Sequence, residues 1–158
     1  MFFDTTLQTR LAAHISSPET VADFWAPLGH AVWFGKDPAF DQRFREAFAV
    51  QHGAAARGEL MPWLATSKGA LSLLILLDQY PRNAFRGTAR MYATDALARI
   101  VADAALEQGH DRAFGPDLSG FFYLPFAHSE HLPDQERSVA LCADLPEPGP
   151  SHSRGHRD

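Results

Sequence analysis

An apolar helix that runs into a carboxylate and then a turn rich in strong donors marks the part of this chain most able to do chemistry. The segment is Ser72-Leu-Leu-Ile-Leu-Leu-Asp-Gln-Tyr-Pro-Arg-Asn-Ala-Phe-Arg-Gly87. Asp78 is expected in the last helical turn before Pro81, where the helix macrodipole is negative and a further negative charge is unfavourable. Arg82 and Arg86 are the evident compensating cations, with Asn83 between them as an additional donor. As a site, Asp78, Arg82, Asn83 and Arg86 suggest a pocket in which guanidinium groups bind a carboxylate or phosphate bidentately. The same residues also suit a structural role, a polar network that satisfies a buried turn between packed helices.

A second candidate is His128-Ser-Glu-His131. Two histidines three apart read as sharing a helix face, with Glu130 beside them. His128 and Glu130 suit general acid–base chemistry or hydrogen bonding to a ligand, and a capping role fits as well. No third ligand stands at a telling spacing, so no metal is expected. Ser129 lacks a nucleophile-elbow context. The chain has no phosphate-cradling glycine-rich loop, and no cofactor is expected. Cys142 reads as a small apolar residue rather than a nucleophile.

The elements that must position these groups read as helices punctuated by proline and glycine. Ser17-Pro18 and Asp37-Pro38 each give a cap followed by proline at the first helical position. Phe40, Phe44, Ala47, Phe48 and Gln51 recur at helical spacing before Arg57-Gly58. Met61-Pro62-Trp63 forms a connector, and Thr66 or Ser67 caps the next helix. That helix, around 69–79, is apolar on nearly every side between Leu71 and Leu77 and is therefore central and buried. Thr88 is expected to cap an amphipathic helix. Its buried face would hold Ala93, Ala96, Leu97, Ile100, Val101 and Ala104, with Asp95, Arg99 and Glu107 outward and Gly109 at its end. The aromatic residues Phe121, Phe122, Tyr123 and Phe126 lie on a short element ending at or just after Pro125. Together with Trp25, Trp33 and Phe34 they are expected in the core. Pro133 opens a last helix with acidic residues in its first turn. No run alternates at period two, so no sheet is expected.

The order of motifs resembles a known family. Asp23-Phe-Trp25, Trp33-Phe34-Gly-Lys-Asp-Pro-Ala-Phe40-Asp41, Leu77 to Gly87, Tyr123-Leu-Pro-Phe-Ala-His-Ser-Glu130 and Asp134-Gln135 occur in sequence. This pattern is similar to the bacterial family designated domain of unknown function 924, over about residues 20–141. The resemblance implies an all-α fold, a single helical domain of packed antiparallel helices in a tetratricopeptide-like superhelical arrangement. It implies no activity. Family members continue past the last helix into a segment resembling Arg-Phe-Gly-Arg-Phe-Pro-His-Arg-Asn. Here a proline-rich stretch leads to Gly155-His-Arg-Asp158, so that segment is expected to be absent, through truncation or unrelated sequence, and any basic groups it supplies would be missing.

Composition bounds the rest. At 158 residues, with 46% hydrophobic and 21% charged residues, the chain is long enough for one core without covalent staples. The expected organisation is one helical domain over residues 1–145 and a disordered, proline-rich tail over 146–158. A net charge of -5 and a pI near 5.9, with no basic stripe, argue against nucleic acid as a partner. The single cysteine excludes an internal disulfide and suits a reducing cytoplasm. No apolar run approaches the ~20 residues that span a bilayer, and the opening Met-Phe-Phe-Asp lacks the features of a signal peptide. A soluble cytoplasmic protein without membrane partners is expected, and composition says nothing of its oligomeric state.

Two function classes follow. One is a helical scaffold that binds a small anionic ligand or an acidic peptide in a polar cleft formed by Asp78, Arg82, Asn83, Arg86, His128 and Glu130. The other is a cofactor-independent hydrolase or lyase, with His128 or Glu130 as base and Arg82 and Arg86 as electrostatic stabilisers. A purely structural partner-binding subunit would instead carry a large exposed apolar patch and no polar pocket.

Overall fold

Residues 67–84 form the axis around which the rest is assembled. The Thr66 hydroxyl accepts the Gly69 N–H at 3.0 Å and starts α4 (Ser67–Leu74). A π-helical segment (Ile75–Gln79) and α5 (Tyr80–Ala84) continue it without a break in direction. Every residue from Gly69 to Pro81 is buried, as expected of a helix with no polar face. Ser72 is the polar exception among the buried residues of α4, and its hydroxyl both donates and accepts. Its hydroxyl donates to the Pro18 carbonyl at 2.6 Å and accepts the Ala22 N–H at 2.9 Å, which ties α1 (Thr20–Trp25) to the axis. The expected start at Ser17-Pro18 is thereby corrected: the helix begins at Thr20, because the Pro18 carbonyl is engaged by Ser72 outside it.

The computed structural model describes residues 17–145; the expected tail over 146–158 and the opening segment lie outside them. After α1 come a 3₁₀ turn, α2 (His30–Trp33) and the long α3 (Pro38–Ala56). Asp37 caps α3 by accepting the Ala39 N–H at 3.0 Å, as its position before Pro38 suggests. Phe40, Phe44, Phe48 and Gln51 form the buried stripe of α3, while Ala47 is exposed. A 3₁₀ connector (Met61–Ala65) leads into the axis. Beyond it lie α6 (Asp95–Glu107), α7 (Pro116–Ala127) and α8 (Leu132–Ala143). Helices α1 and α6 pack on α4, α3 packs on α5 and the π segment, and α7 packs between α6 and α8. No strand occurs among the described residues, and the protein is all-α.

The core joins the leucines of the axis to an aromatic layer. The Trp25 ring lies 5.3 Å from Phe44 and 5.7 Å, edge-on, from Phe121. Phe34 departs from the expected core set: it is 46% exposed and stacks on the buried Phe121 at 5.9 Å.

Two helices differ from expectation in extent and facing. Helix α7 starts at Pro116 and carries Pro125 inside it, so the aromatic cluster sits on a full helix rather than a short element. Helix α6 begins at Asp95, since residues 89–92 form a 3₁₀ turn after Thr88. Its buried stripe is Ala98, Val101, Ala102 and Ala105, at i, i+3, i+4 and i+7. Small residues on that stripe allow close approach to the axis, and Ile100 turns outward, 64% exposed. Asp95 falls one turn before Ala98 on the same stripe and faces inward, contrary to expectation, with its side chain 14% exposed.

Candidate functional site

Pro81 does not end the central helix as expected. A proline in a helix lacks an N–H and leaves carbonyls of the preceding turn unmatched. Here the helix widens to a π turn, in which the Tyr80 N–H reaches the Ile75 carbonyl, and side chains take the freed oxygens. His52 Nδ1 donates to the Leu76 carbonyl at 2.9 Å, Thr94 Oγ1 to Leu77 at 2.6 Å, and Arg82 Nη1 to Asp78 at 2.8 Å. The helix therefore survives to Ala84, and Asp78 lies within it rather than in its last turn.

Asp78 is buried, its side chain 2% exposed, and its carboxylate meets three donors. His128 Nδ1 approaches Oδ1 at 2.9 Å and Arg82 Nη1 approaches it at 3.3 Å, while Gln79 Nε2 donates to Oδ2 at 3.0 Å. A carboxylate accepts, so the Nδ1 of His128 carries the proton. The neutral tautomer with that proton at Nδ1 carries its lone pair at Nε2, the arrangement of an oriented imidazole base.

Arg82 serves two carboxylates. Its Nη1 and Nη2 bind Asp95 Oδ1 and Oδ2 at 2.9 and 3.0 Å, a bidentate pair joining α5 to the start of α6. Burial opposes its charge, but the hydrogen bonds it donates to Asp95 and the negative charges of Asp78 and Asp95 outweigh burial and raise its pKa above the usual guanidinium value. Arg86 binds Asp41 of α3, through Nε at 3.0 Å and Nη2 at 3.3 Å, and Asn83 Nδ2 donates to the same carboxylate at 2.9 Å.

Arg82, Asn83, Arg86 and His128 line one cleft of about 260 Å³, with Gln79 at its floor. The last residue of α2, Trp33, and the loop that follows it, with Phe34, Gly35 and Lys36, form the opposite wall. Asp78 stands directly behind His128 and Arg82. Glu130 is placed elsewhere: it opens onto a neighbouring cleft of about 690 Å³ beside Tyr92, Asp95 and Arg99, and His128 borders both spaces.

The His128–His131 segment is the turn between α7 and α8, not a helical face, because His128 caps α7 and His131 precedes α8. Ser129 organises that turn. Its hydroxyl donates to Asp134 Oδ2 at 2.8 Å and accepts the His131 N–H at 3.0 Å, and Gln135 Nε2 donates to its carbonyl at 2.7 Å. No group of three or more His, Cys, Asp or Glu side chains among the described residues is placed to hold a metal ion.

The matching family model, described as a bacterial protein of unknown function (DUF924), spans residues 21–156. The chain belongs to the DUF924 family. A solved structure of a protein of unknown function from Agrobacterium tumefaciens is similar to it, with 48% sequence identity and a TM-score of 0.82. That similarity covers 90% of this chain and 81% of the other. No curated protein matches the sequence. The DUF924 match extends past residue 141, the expected end of the resemblance, and takes in the proline-rich stretch.

In this DUF924 protein the motif residues are the ones that build the cleft: the loop Trp33–Lys36, Asp41, and the segment from Asp78 to Arg86. Sequence reasoning had not assigned Asp41, Asp95, Lys36 or Gln79 to a site. Asp95 was detectable, since it shares the i, i+3, i+7 register with Ala98 and Ala102. The pairing of Asp41 with Arg86 crosses between elements and leaves no local signal.

Proposed function

We propose that this protein is a soluble cytoplasmic scaffold that binds a small anionic ligand, or the carboxylate of an acidic peptide, in the cleft beneath the Trp33–Lys36 loop. One observation carries the reading: Lys36, Arg82, Asn83, Arg86 and His128, from three separate parts of the chain, line one small space. Their N–H groups are donors that favour carboxylate and phosphate oxygens. Net charge -5 makes nucleic acid and anionic membranes poor partners. No helix among the described residues is long and apolar enough to cross a membrane. The tetratricopeptide-like arrangement belongs to the same reading, supported by the packing of α6, α7 and α8 each on its chain neighbour.

A thermal-shift panel of acetate, benzoate, inorganic phosphate and an acidic dipeptide tests it. At least one anion should raise the melting temperature of the parent, and the Lys36→Met/Arg86→Met variant should lose that shift while remaining folded. A panel with no shift, or equal shifts in parent and variant, would overturn the reading.

The Asp78–His128 contact favours a second reading, a cofactor-independent hydrolase or lyase in which His128 Nε2 accepts a proton and buried Asp78 orients the ring. Arg82 and Arg86 would then stabilise developing negative charge from the cleft wall. Glu130 enters this reading only across His128, from the neighbouring cleft. Loss of a catalysed reaction in His128→Gln with ligand binding retained would support it, and unchanged turnover in that variant would exclude His128 as the base.

A further inference from the structure

The cleft offers many donors but little unmatched charge. Arg86 is paired with Asp41, and Arg82 with both Asp95 and Asp78. Each guanidinium keeps N–H groups that these pairs do not use: Arg82 bonds through Nη1 and Nη2 but not Nε, and Arg86 through Nε and Nη2 but not Nη1. Lys36 is exposed on the opposite wall and has no ion-pair partner among the described residues. Among the described residues, a ligand in this cleft therefore meets one cation without an ion-pair partner, Lys36, beside guanidinium donors whose charge is already matched. A second negative charge on the ligand would find no further unpaired cation among the described residues of the lining, and it would lie near Asp41, Asp78 and Asp95, the carboxylates that already hold the two guanidiniums.

The remaining wall is apolar. Phe34 is 46% exposed, yet its ring is fixed, parallel to Phe121 within 13° and edge-on to Trp33 at 6.4 Å. A phenyl ring held by Phe121, by Trp33 and, at 4.9 Å, by His30 offers the part of its surface that stays exposed as a preorganised apolar wall. Leu124 extends that surface into the cleft. At about 260 Å³ the space lies below the ~300–1,000 Å³ of pockets that hold drug-sized ligands.

Resting on the anion-binding reading above, we infer that the ligand is a small monocarboxylate with a planar apolar body, its carboxylate at Lys36 and the guanidinium donors and its body against Phe34. This assigns Lys36 and Phe34, which sequence reasoning gave no binding role, as the residues that select charge and shape.

Isothermal titration of the full chain with benzoate, benzamide and inorganic phosphate tests the inference, on the parent, Lys36→Met and Phe34→Ala. Benzoate should bind saturably, with benzamide and phosphate each about tenfold weaker or worse. Lys36→Met and Phe34→Ala should each weaken benzoate roughly fivefold; Lys36→Met should melt close to the parent because Lys36 is exposed, and Phe34→Ala somewhat below it, while still folded, because the ring packs on Phe121. Phosphate binding as tightly as benzoate and depending on Lys36 would overturn the monocarboxylate inference and leave the anion reading standing. Equal binding of benzamide and benzoate would overturn both. Absence of binding by all three would overturn the inference, and the wider anion panel would then decide the reading on its own.

Discussion

Replacing Arg82 with methionine keeps most of the side chain's bulk and removes the charge that joins α5 to α6. Arg82 is 18% exposed, its partner Asp95 14% and Asp78 2%, so solvent screens these pairs poorly. The change deletes two charge-assisted bonds to Asp95 and leaves Asp78 with His128 and Gln79 alone. Breaking a buried pair from one side costs about 3–5 kcal/mol, because a charge is left behind. Asp95 is the first residue of α6, where the helix dipole returns about 0.3–1 kcal/mol to a carboxylate. The expected loss is therefore about 3 kcal/mol. Urea unfolding followed by tryptophan fluorescence should show the midpoint falling by about 1.5 M, for a slope near 2 kcal/mol/M. Arg86→Met is the internal control. That pair is more open, with side chains 35% and 17% exposed, and should cost less than about 1 kcal/mol. Adding Asp95→Asn to Arg82→Met should recover part of the loss, since the stranded charge disappears with its partner. Equal midpoints for Arg82→Met and Arg86→Met would refute the reasoning and make Arg82 an ordinary solvated residue.

Three further outcomes follow from the fold. Leu74→Ala should cost about 2–5 kcal/mol in chemical unfolding, since Leu74 is fully buried on the axis; a negligible change would mean the core is misassigned. Gly69→Ala would set a Cβ on the Trp63 carbonyl and only 2.8 Å from the Thr66 hydroxyl that caps α4, so a loss of about 1–3 kcal/mol or more is expected, and an unchanged melting point would contradict that contact. His52 is stacked on Tyr80 at 4.6 Å, and burial lowers its pKa below the ordinary 6.5 despite the opposing bond to Leu76. Below about pH 6.5 the unfolded chain takes up a proton there before the folded one does, so this site favours folding less as pH falls. His52→Gln should flatten the acid side of the parent's melting-temperature profile, and parallel profiles would exclude the effect.

The helical architecture was legible because its signals are local. A polar face is missing between Leu71 and Leu77, Asp37 and Thr66 cap where their types predict, and Gly58 and Gly109, both at a φ of +77°, end helices that β-carbon-bearing residues would end less readily. Pro81 misled for a physical reason. The tolerance of a proline there depends on His52, Thr94 and Arg82 supplying donors, and two of those three come from other elements. The donor turn at Arg82–Arg86 was visible as a cluster of residue types, whereas its partners Asp41 and Asp95 became visible only once α3 and α6 were placed beside it. Phe34 was assigned to the core on type alone; its exposure follows from where the α2–α3 loop ends, which no periodicity encodes.

The central claim is that the space between the Trp33–Lys36 loop and the Arg82–His128 wall takes a small anion. Two-dimensional NMR of the ¹⁵N-labelled full chain, titrated with benzoate, addresses it at the site itself. The Trp33 indole N–H is held by the Trp25 carbonyl at 2.8 Å and so reports on the cleft wall. The account predicts saturable shifts in that indole signal, in the Phe34–Lys36 amides and in His128, with the signal of the Trp63 indole, which does not line the cleft, unmoved. Saturable shifts clustered elsewhere, or none at any concentration that leaves the protein folded, would contradict it.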